Sequence, residues 1–167
     1  MTQNELNEIL AAHIAWLEGK PVGHKAHLRG AELRGAELRG AELRAAELQD
    51  CDLRCADLRG AKLQDCDLRG AELQDCDLRC AVLRGAKLQD CDLRGADLRG
   101  ADLDFSCWPL WCGSLDVKVN HRIAAQLAYH FCRLCCDEPD YIAARNAIHD
   151  FANTFHRAEE CGKLIKK

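Results

Sequence analysis

Twelve cysteines and seven histidines in 167 residues are the groups from which a metal site or a nucleophilic centre would be built. Cys132 and Cys135 have CxxC spacing, with Cys136 and His130 beside them. Cys107, Cys112, His149, His156 and Cys161 lie elsewhere in the C-terminal third. A structural zinc ion takes four thiolate or imidazole ligands. This CxxC falls inside a helical pattern, and neither a second CxxC nor an HxxxH pair accompanies it, so no metal and no cofactor is expected. Catalytic signatures are equally thin. The chain has no GxGxxG, no phosphate-binding loop and no nucleophile elbow. His121, His130, His149 and His156 lie in helical patterns, and the adjacent His149 and Asp150 are not expected to share a helix face. No catalytic residue is assigned, and the expectation is a protein that is not an enzyme.

The bulk properties frame that reading. Apolar residues make up 48% and charged residues 30%, while aromatics reach only 5%, so the core must be built from leucine and alanine. No apolar run is long enough to span a membrane. The first residues carry acids and amides without a basic segment, so no secretory signal is expected. A cytoplasmic setting, in which the cysteines stay reduced, follows as the expectation. The net charge of −4 argues against direct nucleic-acid binding.

The dominant feature is a period of five. From Ala26 the chain reads AHLRG, AELRG, AELRG, AELRA, AELQD, CDLRC and continues to ADLDF at Phe105, sixteen pentads without an insertion. The third position is always leucine: Leu28, Leu33, Leu38, Leu43, Leu48, Leu53, Leu58, Leu63, Leu68, Leu73, Leu78, Leu83, Leu88, Leu93, Leu98 and Leu103. The first position is only Ala or Cys, the second mostly Glu or Asp, the fourth mostly Arg or Gln. A helix would walk leucines spaced by five around its surface, and a strand would flip them between faces. A backbone that bends once per pentad keeps them all inside, beside a first position small enough to fit.

These pentads resemble the pentapeptide-repeat family, whose pattern is A(D/N)LXX. The resemblance covers residues 26–105 and implies a mainly β fold: a right-handed quadrilateral β-helix of four coils. Stacked ~4.8 Å apart, four coils make a rod about 20 Å long. The open ends of such a stack expose leucine layers and unpaired backbone groups, so caps are required.

Residues twenty apart then stack on one face. Glu37, Asp57, Asp77 and Asp97 run beside Arg39, Arg59, Arg79 and Arg99. Glu32, Asp52, Glu72 and Asp92 run beside Arg34, Arg54, Gln74 and Arg94. Interleaved columns of opposite sign make a self-neutralising surface. Cys51, Cys66, Cys76 and Cys91 occupy the inward first position with alanines one coil away, and act as small hydrophobes. Cys55 and Cys80 take the fifth position on different faces.

Three regions follow. Residues 1–25 form an N-terminal helical cap: Thr2 and Glu5 have capping-box spacing, and Leu6, Ile9, Leu10, Ile14 and Leu17 fall on one face. Residues 26–105 are the solenoid. Residues 106–167 combine an aromatic plug carrying Trp108 and Trp111 with a helical hairpin. Its first helix, about 118–136, presents Ile123, Leu127, Phe131 and Leu134; its second, about 137–160, presents Tyr141, Ile148, Phe151 and Phe155. The resemblance implies that such C-terminal helices often dimerise. Trp108, Trp111, Ile123, Leu127, Phe131, Phe151 and Phe155 are therefore the candidate interaction residues, and a homodimer is expected. The functional expectation is a protein-interaction scaffold whose protein partner is unknown. The alternative implied by the family is a DNA mimic that inhibits or protects DNA gyrase or a related topoisomerase. Residues 26–105 hold 17 acids against 13 Lys and Arg, and the arginine columns weaken the negative field that mimicry needs.

Overall fold

The computed structural model describes residues 1–107, 117–133, 138–155, 158–161 and 163–165. They form two compact units, 1–118 and 119–167.

In the first unit the pentads coil on a twenty-residue period. His27 pairs with Glu47, Glu32 with Asp52, Glu37 with Asp57 and Glu42 with Lys62, all parallel, and the series repeats upward. Four bridges per period make four walls. The first wall stacks the pentads starting at Ala26, Ala46, Cys66 and Ala86; the second those at Ala31, Cys51, Ala71 and Cys91; the third those at Ala36, Ala56, Cys76 and Ala96; the fourth those at Ala41, Ala61, Ala81 and Ala101. Each wall spends one bridged residue per coil, because the turn that follows leaves no room for a longer strand.

The turn has one physical cause. All sixteen fifth-position residues have positive φ, from Asp65 at 57° to Gly100 at 78°. The N–H of the next first-position residue donates back to the leucine carbonyl, as from Ala61 to Leu58 at 3.0 Å. A positive φ at the third residue of such a turn is the type II signature, which favours Gly and tolerates Asp or Asn. Half of the fifth positions are glycine. Three of them also answer an aspartate one coil below: a Cβ on Gly95 would lie 2.3 Å from Asp75 Oδ1, and Gly70 and Gly85 face Asp50 and Asp65 in the same way.

Between turns, the backbone bonds form a fixed set. Asp57 N donates to Ala36 O at 3.0 Å, Leu58 N to Asp77 O at 2.8 Å and Gly60 N to Arg79 O at 2.9 Å. This geometry points every leucine inward. None of the sixteen is more than 4% exposed. From Ala46 upward each first-position Ala or Cys is buried as well, whereas Ala31, Ala36 and Ala41 on the first coil remain half-buried. Buried leucines contribute roughly 1.5–3 kcal/mol each, which makes this column the main source of stability in the unit. The ladder also outlasts the repeats. The sequence places the end of the solenoid at residue 105, but Cys107 still bridges Lys87, and Lys118 bridges Asp97. Main-chain pairing needs no leucine code, so the repeat pattern under-reports its length.

The first coil has an edge that nothing beneath it pairs, and helix α1, Gln3–Leu17, closes it. The Thr2–Glu5 capping box forms as the spacing predicts. Leu6 is fully buried, but Ile14, expected on the packed stripe, is 39% exposed. The docked face instead includes two polar residues that hydrophobic periodicity passes over. The Gln3 amide donates to Glu37 O and accepts from Glu37 N, both at 3.1 Å, copying the missing coil. His13 is completely buried. Its Nδ1 accepts from Ala26 N at 3.1 Å, so its Nε2–H donates to Arg44 O at 3.1 Å. Beyond α1 the chain doubles back through Gly23, where any Cβ would sit 2.1 Å from Trp16 N.

The second unit is helical. Helix α2 spans His121–Cys132, capped by Asn120, whose side chain accepts from Ile123 N. Helix α3 spans Pro139–Ala152 with proline in its first turn, and α4 spans Ala158–Cys161. Both long helices are shorter than the sequence pattern suggests. Their shared core is Tyr129, Cys132, Ala152, Phe155, Ala158 and Leu164. Arg145, 6% exposed, holds the ends together: Nε donates to Cys132 O at 3.0 Å and Nη2 to Ile165 O at 2.8 Å. Phe131, which the sequence pattern presents as a candidate interaction residue, is 38% exposed, because the helix turns Tyr129 and Cys132 inward.

His13 generates a pH prediction. Burial lowers its pKa below the usual 6.5, ahead of the opposing bond to Arg44 O. Protonation would also set two N–H donors, Nδ1–H and Ala26 N–H, against each other. The unfolded chain therefore takes up the proton at higher pH, so the cap's contribution is complete above about 6.5 and falls as pH drops through the folded-state value. Denaturation midpoints of the wild type should fall between pH 7.5 and 5.5, a window above ordinary carboxylate titration, and the fall should be absent in His13→Gln. An equal fall in both proteins refutes the assignment.

Candidate functional site

The ladder leaves one N–H per pentad without a backbone acceptor, that of the fourth position. Aspartate at the second position supplies it. Arg59 N donates to Asp57 Oδ1 at 3.1 Å, Arg79 N to Asp77 Oδ1 at 3.3 Å and Arg99 N to Asp97 Oδ1 at 3.2 Å. The same bond recurs at Asp52, Asp67, Asp92 and Asp102. The longer glutamates at 32, 37, 42, 47 and 72 make no such bond among the described residues. This is a local reason for a short acid beside the leucine, and charge-column reasoning does not reveal it.

The same carboxylates take a two-pronged bond from the arginine two residues on. Arg79 reaches Asp77 with Nε at 2.8 Å and Nη2 at 2.6 Å; Arg99 reaches Asp97 at 2.8 and 2.5 Å; Arg59 pairs with Asp57 likewise. Arg54, Arg69 and Arg94 repeat the arrangement on other walls. Further contacts climb between coils, from Arg54 to Glu72 at 3.2 Å and from Arg59 to Asp77 at 3.5 Å. The guanidinium bonds, with the backbone donor, hold Asp57, Asp67 and Asp97 down to about 2. The expected neutralising columns are thus real, but each pair lies within one pentad first and between coils second.

The thiols divide by position. Cys51, Cys66, Cys76 and Cys91 are buried, and each donates from Sγ to a leucine carbonyl of the coil below. Burial pushes Cys66, Cys76 and Cys91 up to about 12. Cys55 and Cys80 stand exposed at two corners.

In the helical unit the candidate interaction residues separate. Ile123 and Phe155 are buried and Leu127 is half-buried, so they are not a free surface. Phe131 and Phe151 are exposed at 38% and 37%, with rings against Tyr141 and His121 at 5.2 and 5.3 Å. Trp108 and Trp111, and with them the aromatic plug, lie outside the described residues, as do Leu134, Cys135, Cys136 and His156. Cys132 is buried, and its Sγ faces Arg145 O at 3.8 Å. Among the described residues no group of three or more His, Cys, Asp or Glu is placed to hold a metal ion. His149 does meet its neighbour, Nδ1 to Asp150 Oδ1 at 2.8 Å, contrary to the expectation from adjacency. A solvent-facing aspartate can swing along the helix surface, and the other ring nitrogen is engaged by Leu164 O at 2.8 Å. No helix of the described residues is long and apolar enough to cross a membrane.

Comparison with known proteins places this geometry. No curated protein matches the chain. Among solved structures, a pentapeptide repeat protein from the Arabidopsis thaliana thylakoid lumen is 22% identical over 66% of this chain and 77% of its own, with a TM-score of 0.52. HetL, a pentapeptide repeat protein involved in heterocyst differentiation regulation in the cyanobacterium Nostoc sp. strain PCC 7120, is 35% identical over 53% of this chain and 42% of its own, with a TM-score of 0.29. QnrB1, a plasmid-mediated fluoroquinolone resistance protein, is 19% identical over 65% of this chain and 71% of its own, with a TM-score of 0.25. The first of these likenesses speaks to fold alone, and the other two carry no argument. The family model for pentapeptide repeats matches residues 24–60, 51–90 and 76–107, half of the chain. With its parallel twenty-residue coils and inward leucine column, the chain belongs to the pentapeptide-repeat family and carries that family's right-handed β-helix.

Proposed function

We propose that this protein is a non-enzymatic interaction scaffold of the cytoplasm: a capped four-sided solenoid of four coils presenting a fixed lattice of charge, with its protein partners and a second copy of itself engaged through the C-terminal segment. The observation that carries the reading is the locking of the outward acids. Asp57, Asp67 and Asp97 are held near 2 by arginine, while burial holds the inward thiols of Cys66, Cys76 and Cys91 near 12. Neither set is poised near neutral pH, where general acid–base catalysis works best. Rigid, already paired side chains suit recognition, because little rotamer freedom remains to be lost on binding. The free buried thiols fit a reducing compartment.

Mimicry of duplex DNA is the weaker reading. It needs a field of unscreened carboxylates, and here the aspartate column of the third wall is neutralised one guanidinium at a time.

Three measurements test these statements. Carboxyl NMR should find Asp57, Asp67 and Asp97 ionised until pH nears 2; since their folded-state values lie below the unfolded one, their stabilisation is present above about 4 and is lost as pH falls through about 2. Titration near 4 would show that the lattice does not form. Light scattering should give a dimer for the full chain and a monomer for Phe131→Asp/Phe151→Asp; a wild-type monomer, or a dimer indifferent to both changes, removes the helices as the pairing surface. Gyrase supercoiling should proceed unchanged with the protein at low micromolar concentration, and inhibition there would replace the scaffold reading with mimicry.

A further inference from the structure

The four corners of the solenoid differ in charge. Fifth-position acids occur at three of them: Asp50 and Asp90 after the first wall, Asp75 after the second and Asp65 after the fourth. The corner after the third wall holds Gly40, Gly60, Cys80 and Gly100. It brings no carboxylate of its own, and where glycine stands it brings no side chain. Beside it the fourth position is arginine in every coil. Arg39, Arg59, Arg79 and Arg99, with Gly60 and Cys80, line a groove of about 390 Å³. That is the volume of a small-ligand site, and among the described residues no acidic one lines it.

Three of these guanidiniums are anchored from behind. Arg59, Arg79 and Arg99 donate to Asp57, Asp77 and Asp97 through Nε and Nη2, and the Nη1 amino groups take no part in those bonds. The result is a single file of guanidinium donors at ~4.8 Å spacing, oriented at Arg59, Arg79 and Arg99 and continued by Arg39 on the first coil. Planar guanidinium forks match phosphoryl oxygens closely. A lone phosphate would meet two neighbours in such a file, whereas a linear chain of phosphoryl groups meets the whole column. We propose that the third corner binds a linear oligophosphate lying along Arg39, Arg59, Arg79 and Arg99. The phosphoryl chain is the recognised element whether it is inorganic or the tail of a nucleotide, since among the described residues no aromatic side chain lines the groove to stack a base.

Cys80 reports occupancy from inside the groove, and Cys55 is the matched control: both are exposed thiols at fifth positions, with φ of 59° and 58°, at different corners. The experiment follows iodoacetamide alkylation of each thiol in the full-length protein at low salt by peptide mass spectrometry. Sodium tripolyphosphate at ten times its Kd should slow Cys80 by about tenfold. Cys55 should be unaffected, and the protection should fade as salt screens the exposed column. A nucleoside triphosphate should protect equally, while orthophosphate and a tetraglutamate peptide of similar charge should protect far less. Arg79→Gln should lose the protection; Arg54→Gln, which breaks an equivalent pair on the second wall, should keep it and so controls for damage to the fold. No slowing at Cys80, equal slowing at both cysteines, protection by tetraglutamate as strong as by tripolyphosphate, or protection by the nucleotide alone would each overturn the proposal.

Discussion

The structure depends on one backbone constraint, a residue held at positive φ every fifth position. That residue closes the turn onto the leucine carbonyl, and the turn sets the wall length at one bridged residue. It fixes which way each side chain points. Without it, leucines five apart would face in different directions and no common core would exist. The constraint is costly wherever the residue is not glycine. Phe105, at φ 62°, is the bulkiest exception, and it stands at the last pentad with its ring exposed and the Arg84 guanidinium 5.9 Å from its centroid. Tolerance of so poor a residue at the edge, where no further pentad stacks, fits a lattice enforced mainly by its neighbours.

Much of this was legible in the sequence because the signal is redundant. Leucine at one position sixteen times over leaves a single inward register, and Leu33, Leu53, Leu73 and Leu93 lie inside at 3% exposure or less. The charged columns were equally readable, since twenty-residue stacking follows from the same register. What escaped was polar and local. His13 and Gln3 satisfy backbone groups at an edge, and a hydrophobic stripe contains no information about which carbonyls lack a donor. The bond from the fourth-position N–H to aspartate is hidden for a similar reason: a column of acids looks alike whether each member is Asp or Glu, yet only the shorter one reaches back to its own backbone. In the helical unit, apolar spacing alone did not choose between Phe131 and Tyr129, which lie two residues apart on different sides of the helix, and tertiary packing decides which side turns inward.

The aspartate bond changes how the surface charge should be understood. Stacked carboxylates one coil apart repel, and exposed ion pairs worth roughly 0–1 kcal/mol are a weak remedy. Here each aspartate first satisfies a main-chain donor that has no other acceptor in the ladder, and the arginine then binds a carboxylate already fixed in place. Removing the acid would leave a backbone N–H unpaired as well as a guanidinium free. The charged exterior is therefore part of the fold's hydrogen-bond accounting, and its regularity does not by itself advertise a binding site.

Departures from that regularity are consequently more informative than the columns themselves. The fourth wall breaks its acidic column with Lys62 and Val82, and the first with His27 and Lys87. These changes mix signs and flatten the field. The third wall does the opposite, keeping four acids and four arginines in strict file while its corner carries no acid at all. Folding does not require this combination, since the other three walls stand with glutamine, lysine or aspartate in the equivalent places. A charge pattern that the fold leaves free to vary, and that nonetheless stays uniform along one corner through all four coils, is the feature of this solenoid that its architecture alone does not explain.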